Sequence, residues 1–164
     1  MEKALRTGKI EGYADAVIFI FYDIESEEVF IEERFNRNQG DETRVMLPGG
    51  TIEDGEDSVI TLFREVREEM GKDIKIVEYE VLERCKVIDE GLVKMLQPFL
   101  ITKWEGDPKS CEPAKVVFFR ENVQKALSLL SSFESGAILL FAIGRIRNYR
   151  AEDFINAPLL SLPQ

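Results

Sequence analysis

Glu65, Glu68 and Glu69 stand at positions i, i+3 and i+4 of one stretch, Arg64-Glu65-Val66-Arg67-Glu68-Glu69-Met70-Gly71. On a helix that spacing sets all three carboxylates on one face. Like charges so placed repel by about a few tenths of a kcal/mol per pair. A hard divalent cation such as Mg²⁺ or Mn²⁺ offsets the repulsion. It takes carboxylate oxygens and keeps water positions open for phosphates. Taken alone, three glutamates on a helix more often make a solvated acidic face than a site. Their surroundings decide between the two.

The 164-residue chain holds no histidine. This excludes Ser-His-Asp and Cys-His nucleophilic catalysis, and every His-ligated zinc site. Any chemistry rests on carboxylates, Lys and Arg, Tyr and a hard metal. The net charge of −10 argues against a nucleic-acid polymer as partner, because phosphate backbones need a basic surface. A small anionic substrate fits if a divalent cation stands between it and the protein. Two cysteines, Cys85 and Cys111, are too few for a disulfide framework. They fit a reducing, cytoplasmic setting with both thiols free. No apolar run approaches the roughly 20 residues of a membrane span. Met1 to Gly12 carries charges and no apolar core, so no secretory signal is expected there.

The three glutamates belong to a longer pattern. Gly50 is followed after five residues by Glu56, and after seven more by Arg64-Glu65. The whole resembles the Nudix box, G-x5-E-x7-R-E-U-x-E-E-x-G-U, with U apolar. Gly50, Glu56, Arg64, Glu65, Glu68, Glu69 and Gly71 all match, as does the apolar Val66. At roughly one in 15 per position, a chance match anywhere in the chain is on the order of one in a million. One position departs: Lys72 stands at the final apolar site, and Ile74 is expected to pack in its place.

The resemblance implies an α+β fold, an α/β/α sandwich around a mixed sheet, carrying a loop–helix–loop metal site. It implies Mg²⁺, with Mn²⁺ as an alternative, held by the Gly49 carbonyl, Glu65, Glu68 and Glu69. One of these glutamates, or another outside the box, would deprotonate the attacking water. Arg64 would pair with a box carboxylate such as Glu56 and orient it. Leu47-Pro48-Gly49 would lie along the substrate, with Pro48-Gly49-Gly50 letting backbone approach metal and phosphate.

A second stretch, Trp104-Glu105-Gly106-Asp107-Pro108 followed by Glu112, looks like the MutT branch of this family. The match makes Glu112 a further metal ligand or base. Arg34 falls where that branch places a phosphate-binding arginine. The resemblance covers roughly residues 16–119. Beyond it, Asn122 and Asn148 are candidates for base recognition by residue type only. The implied reaction is hydrolysis of a nucleoside diphosphate linked to another moiety, first a (d)NTP giving a monophosphate and pyrophosphate. An ADP-ribose or sugar-nucleotide pyrophosphatase would use the same machinery. A non-catalytic nucleotide sensor is disfavoured, since such domains commonly lose box glutamates. Many relatives form homodimers, which leaves that state open.

The elements that must position these residues follow from pattern. Length and composition suit one domain over residues 1–164. Residues 16–22 read as a buried strand and 29–35 as its antiparallel partner, with a turn at Glu25-Ser26. Residues 36–43 read as loop and 45–47 as a short strand stopped by Pro48-Gly49-Gly50. A helix is expected from Asp57 or Ser58 to Gly71, its buried stripe formed by Val59, Leu62, Phe63, Val66 and Met70. Two long strands are expected at about 74–87 and 92–104, then a strand at 115–119. Helices are expected at 121–130 and 136–147, within a C-terminal helical segment of about 121–148. The apolar residues 137–143 suit a buried terminal helix.

Overall fold

A computed structural model describes residues 14–36, 42–89 and 91–147. Its central strand is β1 (Ala16–Asp23). Val17, Phe19 and Phe21 point to one face and Ile20 and Tyr22 to the other, and all are buried. A strand covered on both faces reads as a continuous apolar run, which is what AVIFIFY is. The long β7 (Leu92–Glu105) pairs with β1 in parallel, from Ala16 opposite Leu96 to Phe21 opposite Ile101. β2 (Glu28–Asn36) meets β1 only at the hairpin end, where Tyr22 faces Val29 and Asp23 faces Glu28.

β3 (Glu42–Met46) pairs with β2, and β4 (Gly49–Thr51) pairs with β1. Leu47 and Pro48 are thus the point where the chain switches from one neighbour to the other. β5 (Lys75–Val81) and β6 (Cys85–Asp89) line the far side of β7, and β8 (Val116–Asn122) adds to β2. The sheet runs β3-β2-β1-β7-β5 and is mixed.

Helices cover both faces, as the resemblance implies. α1 (Ser58–Met70) lies on one, its Leu62, Val66 and Met70 packed among Phe19, Phe21, Phe30 and Phe99. Each of those three side chains contributes roughly 1.5–3 kcal/mol on burial. α2 (Val123–Leu129) and α3 (Phe133–Arg147) lie on the other, against Ile20, Tyr22, Val29 and Ile31. Within the apolar stretch of α3, Ile138, Leu139, Leu140, Ala142 and Ile143 are buried, while Phe141 is exposed.

The structure corrects several expectations. Val59 and Phe63 are exposed, and Thr61 and Glu65 take their place in the buried face of α1. The helix is rolled about its axis so that Glu65 faces β4. Phe63 instead sets its ring edge-on to Tyr79, with centroids 6.0 Å apart. The expected strand 74–87 is broken at residues 82–84. Opposite the break β7 carries Pro98, which has no N–H to donate. There the Gln97 side chain donates to the carbonyls of Leu82 and Pro98 instead.

Pro48-Gly49-Gly50 does not end strand structure, since β4 resumes at once on β1. β3 begins at Glu42, earlier than expected. Asn122 is the N-cap of α2, its side-chain oxygen accepting from the Lys125 N–H at 2.9 Å. That role accounts for Asn122 without a ligand, and it starts the helix later than residue 121. α3 starts earlier than residue 136 because the Ser132 hydroxyl accepts from the Ser135 N–H. Asn148 lies outside the described residues. Ile74 is buried in the α1-side core where Lys72 is not, as expected.

Candidate active site

Asp57 caps α1 by accepting from the Ile60 N–H at 2.8 Å. About two turns on, Arg64 forms the hub of a fully partnered cluster. Its Nε and Nη2 donate to the two oxygens of Glu56 at 2.7 and 2.9 Å, a bidentate fork. Nη2 also reaches the Thr51 carbonyl at 3.0 Å. Nη1 donates to Glu65 at 2.9 Å and Glu68 at 3.1 Å. Glu56 accepts in addition from the Thr61 hydroxyl and the Glu53 N–H. The Arg64 hydrogen bonds hold the Glu56 carboxyl down at about 2, and Glu56 in turn holds Arg64 in its charged form. Glu65, largely buried, is raised by desolvation despite Arg64 beside it.

Gly50 makes room for that glutamate. A Cβ there would stand 2.1 Å from the Glu65 carboxyl carbon. At Gly49 a Cβ would stand 2.3 Å from the Val17 carbonyl oxygen, so β4 could not approach β1.

The last turn of α1 faces a different neighbourhood. Arg34, on β2, donates from Nη2 to Glu32 at 3.1 Å and to Glu69 at 3.5 Å. One nitrogen thus serves two acids. Glu32 Oε2, Glu69 Oε2 and Arg34 Nε are buried with no hydrogen-bond partner among the described residues. Burial pushes Glu32 up to about 7. Burial, and then the Glu32 charge, push Glu69 up to about 8.

Residues 106–115 close the site from the side. The Lys109 N–H donates to the Met70 carbonyl at 2.9 Å and the Cys111 N–H to the Glu69 carbonyl at 3.3 Å. These bonds satisfy carbonyls at the open end of α1 and tie the loop to it. The tie sets Glu112 and Lys115, an ion pair at 3.1 Å, opposite the glutamate face. Between them lies a cleft of about 300 Å³ lined by Arg34, Phe35, Glu65, Glu68, Glu69, Glu112, Lys115, Val116 and Phe118.

A family model, the NUDIX domain, matches residues 12–136, most of the chain. The chain belongs to the Nudix family. Solved structures share its fold. A MutT from Aliivibrio salmonicida or Vibrio cholerae superposes with a TM-score of 0.64 at 20% identity, covering 80% of this chain and 98% of that one. The E. coli ORF135 protein gives 0.65 at 21% identity, covering 84% and 93%. A C. elegans Ap4A hydrolase gives 0.62 at 16% identity, covering 83% and 99%. At such identities the likeness is one of fold. No curated protein matches the sequence. The chain is a Nudix hydrolase, a class that acts on small nucleotide substrates and generally uses a divalent metal. No helix among the described residues is long and apolar enough to cross a membrane.

Of the residues singled out from the sequence, the Nudix cleft brings together Arg34, Glu65, Glu68, Glu69 and Glu112. Arg64 stands behind it as the brace of Glu56, Glu65 and Glu68. Leu47 packs in the core on the α2 and α3 side, away from the cleft lining. Pro48 is buried and its carbonyl accepts from the Phe19 N–H. Gly49 sits in the β1–β4 ladder opposite Ile18.

Glu32, Lys115 and the apolar lining of Phe35, Val116 and Phe118 were not foreseen. Strand alternation could have found Glu32, because it lies two residues from Arg34 and so shares its face.

Among the described residues, no three acidic, thiol or imidazole side chains already stand as a ligand set for one ion. Glu65 and Glu68 are turned onto Arg64 instead. The donor set nevertheless suits a hard cation. It is all carboxylate oxygen, and Glu69 keeps one oxygen buried without a partner.

Proposed function

We propose that this Nudix hydrolase acts in the cytoplasm on a nucleoside diphosphate linked to another group. The first such substrate is a (d)NTP, cleaved to a monophosphate and pyrophosphate with Mg²⁺, or Mn²⁺ in its place. The observation that carries this reading is the cleft itself. It sets a glutamate face against two cationic side chains, Arg34 and Lys115, with Glu112 beside them.

Glu65, Glu68, Glu69 and Glu112 would hold the metal, together with the Gly49 carbonyl. The metal supplies charge neutralisation on the diphosphate and acidifies a water molecule. Arg34 and Lys115 would bind phosphate oxygens. Arg34, whose side chain is 43% exposed, would present the open side of its guanidinium for this. Glu68 or Glu69, or a glutamate outside the box, would take the proton of the attacking water. Arg64 would act by positioning Glu65 and Glu68 from behind the cleft lining. Leu47, Pro48 and Gly49 would act by shaping the β3–β4 switch beneath the substrate.

The preference for a triphosphate rests on the loop ending at Glu112, because loops set substrate choice on a shared fold. The test is a nucleotide panel in ¹⁸O-labelled water with product identification. Pyrophosphate release from a (d)NTP is expected. Turnover of ADP-ribose or a sugar nucleotide alone would replace the substrate assignment. No product from any member at alkaline pH would overturn the proposed function.

A further inference from the structure

Glu32 has only 1% of its surface exposed, in the middle of β2. Alternation places it on the same face as Phe30 and Arg34, the face toward α1. Its Oε1 accepts from Arg34 Nη2, and its Oε2 has no partner among the described residues. Glu69 Oε2, on the facing helix, has none either. An apolar residue would be stable at this place in the strand. A buried acid is costly unless something pairs with its second oxygen. The surrounding charge is unbalanced as well. One Arg34 nitrogen serves both acids, and Arg64 is already taken by Glu56, Glu65 and Glu68. Without metal, a proton held by the two acids satisfies these oxygens and their charge, and a divalent cation would take the place of that proton.

We propose that Glu32 and Glu69 together hold a hard divalent cation through these two oxygens. They form an inner subsite that the Nudix box spacing does not supply. The proposal rests on the metal-diphosphate reading of the cleft. The rival role for Glu32 is to brace Arg34 and nothing more.

The experiment counts Mn²⁺ bound to the full chain by electron paramagnetic resonance, without nucleotide, for the unmutated protein and Glu32→Gln. The variant keeps the size and the hydrogen bond to Arg34 but loses the charge. It is expected to bind one Mn²⁺ fewer, or to bind it at least tenfold more weakly. Its melting temperature in EDTA should hold or rise. An unchanged Mn²⁺ isotherm overturns the proposal, and an EDTA melting point that falls alongside it assigns Glu32 to the bracing role. Should Glu32→Gln not fold, Glu32→Asp keeps the charge on a shorter arm. A weakened isotherm then supports the subsite and an unchanged one overturns it. Hydrolysis is not read here. Mn²⁺ bound through Glu32, with no product from any member of the nucleotide panel, would overturn the proposed function alone.

Discussion

Two clusters along α1, one around Arg64 and one around Arg34, carry the same residue types in opposite states. In the first, Arg64 saturates its guanidinium on Glu56, Glu65, Glu68 and the Thr51 carbonyl. Glu56 there is held at about 2. In the second, Arg34 stretches one nitrogen between Glu32 and Glu69, which are pushed up to about 7 and about 8. A saturated arginine–carboxylate cluster is a brace. An undersupplied one keeps binding capacity for something from outside, as functional sites do. We therefore propose that the Arg64 cluster supplies the rigidity and the Arg34 cluster the spare binding capacity, with Glu65 and Glu68 belonging both to the brace and to the cleft.

Breaking the brace should have the largest effect. Arg64→Met leaves the mostly buried Glu56 and Glu65 without their counter-charge and should lower stability by about 3 kcal/mol. Denaturant unfolding in EDTA measures this, and a loss under about 1 kcal/mol would remove the distinction between the two clusters. Next in size is Glu69→Gln, which should slow hydrolysis at least about 100-fold, roughly 2.7 kcal/mol of barrier. Its stability in EDTA should hold near neutral pH and rise above about pH 8, where the buried Glu69 carboxyl would otherwise be charged. Full activity would move the chemistry away from this cluster. Glu112→Gln should cost at least about tenfold in rate, roughly 1.4 kcal/mol, or raise the Mg²⁺ requirement. An identical Mg²⁺ titration would return Glu112 to an exposed loop acid.

The smallest effect is the pH dependence of stability, and here the clusters should differ in sign. Glu56 has a folded pKa of about 2, below its ordinary 4.5. Its contribution is full above 4.5 and is lost as pH falls toward 2. Glu32 and Glu69 titrate near 7 and 8 when folded, above their ordinary 4.5. Their contribution is full below 4.5 and is lost as pH rises through 7 and 8. In EDTA the melting temperature should therefore fall from about pH 5 to about pH 8, and Glu69→Gln should flatten the slope. A melting temperature that climbs across this window would contradict the undersupplied state of Glu32 and Glu69.

The brace was legible in the sequence because its members share one local stretch. Gly50, Glu56, Arg64 and Glu65 sit at fixed helical and loop spacings, and the structure joins them directly. The undersupplied cluster was only half legible. Glu69 and Arg34 were found, but Glu32 was passed over in VFIEERF. There the deciding facts are long-range: β8 on one side, α1 above, and β3 closing the edge. The roll of α1 was hidden for the same reason. Helical periodicity put Val59 and Phe63 inside, whereas packing on β1 and β4 put Thr61 and Glu65 there. The break at residues 82–84 depends on Pro98 across the ladder, which no reading of β5 and β6 alone reveals.

Gly50 and Glu65 lie fifteen positions apart, and the carboxyl carbon of one occupies the space a Cβ would need on the other. A side chain at 50 forces the Glu65 carboxyl, the far end of a flexible arm, to turn away from β4. A smaller residue at 65 opens the space into which a side chain at 50 would fit. The two positions are coupled in volume, so a library that randomises both at once reaches pairings that a ladder of single changes passes by.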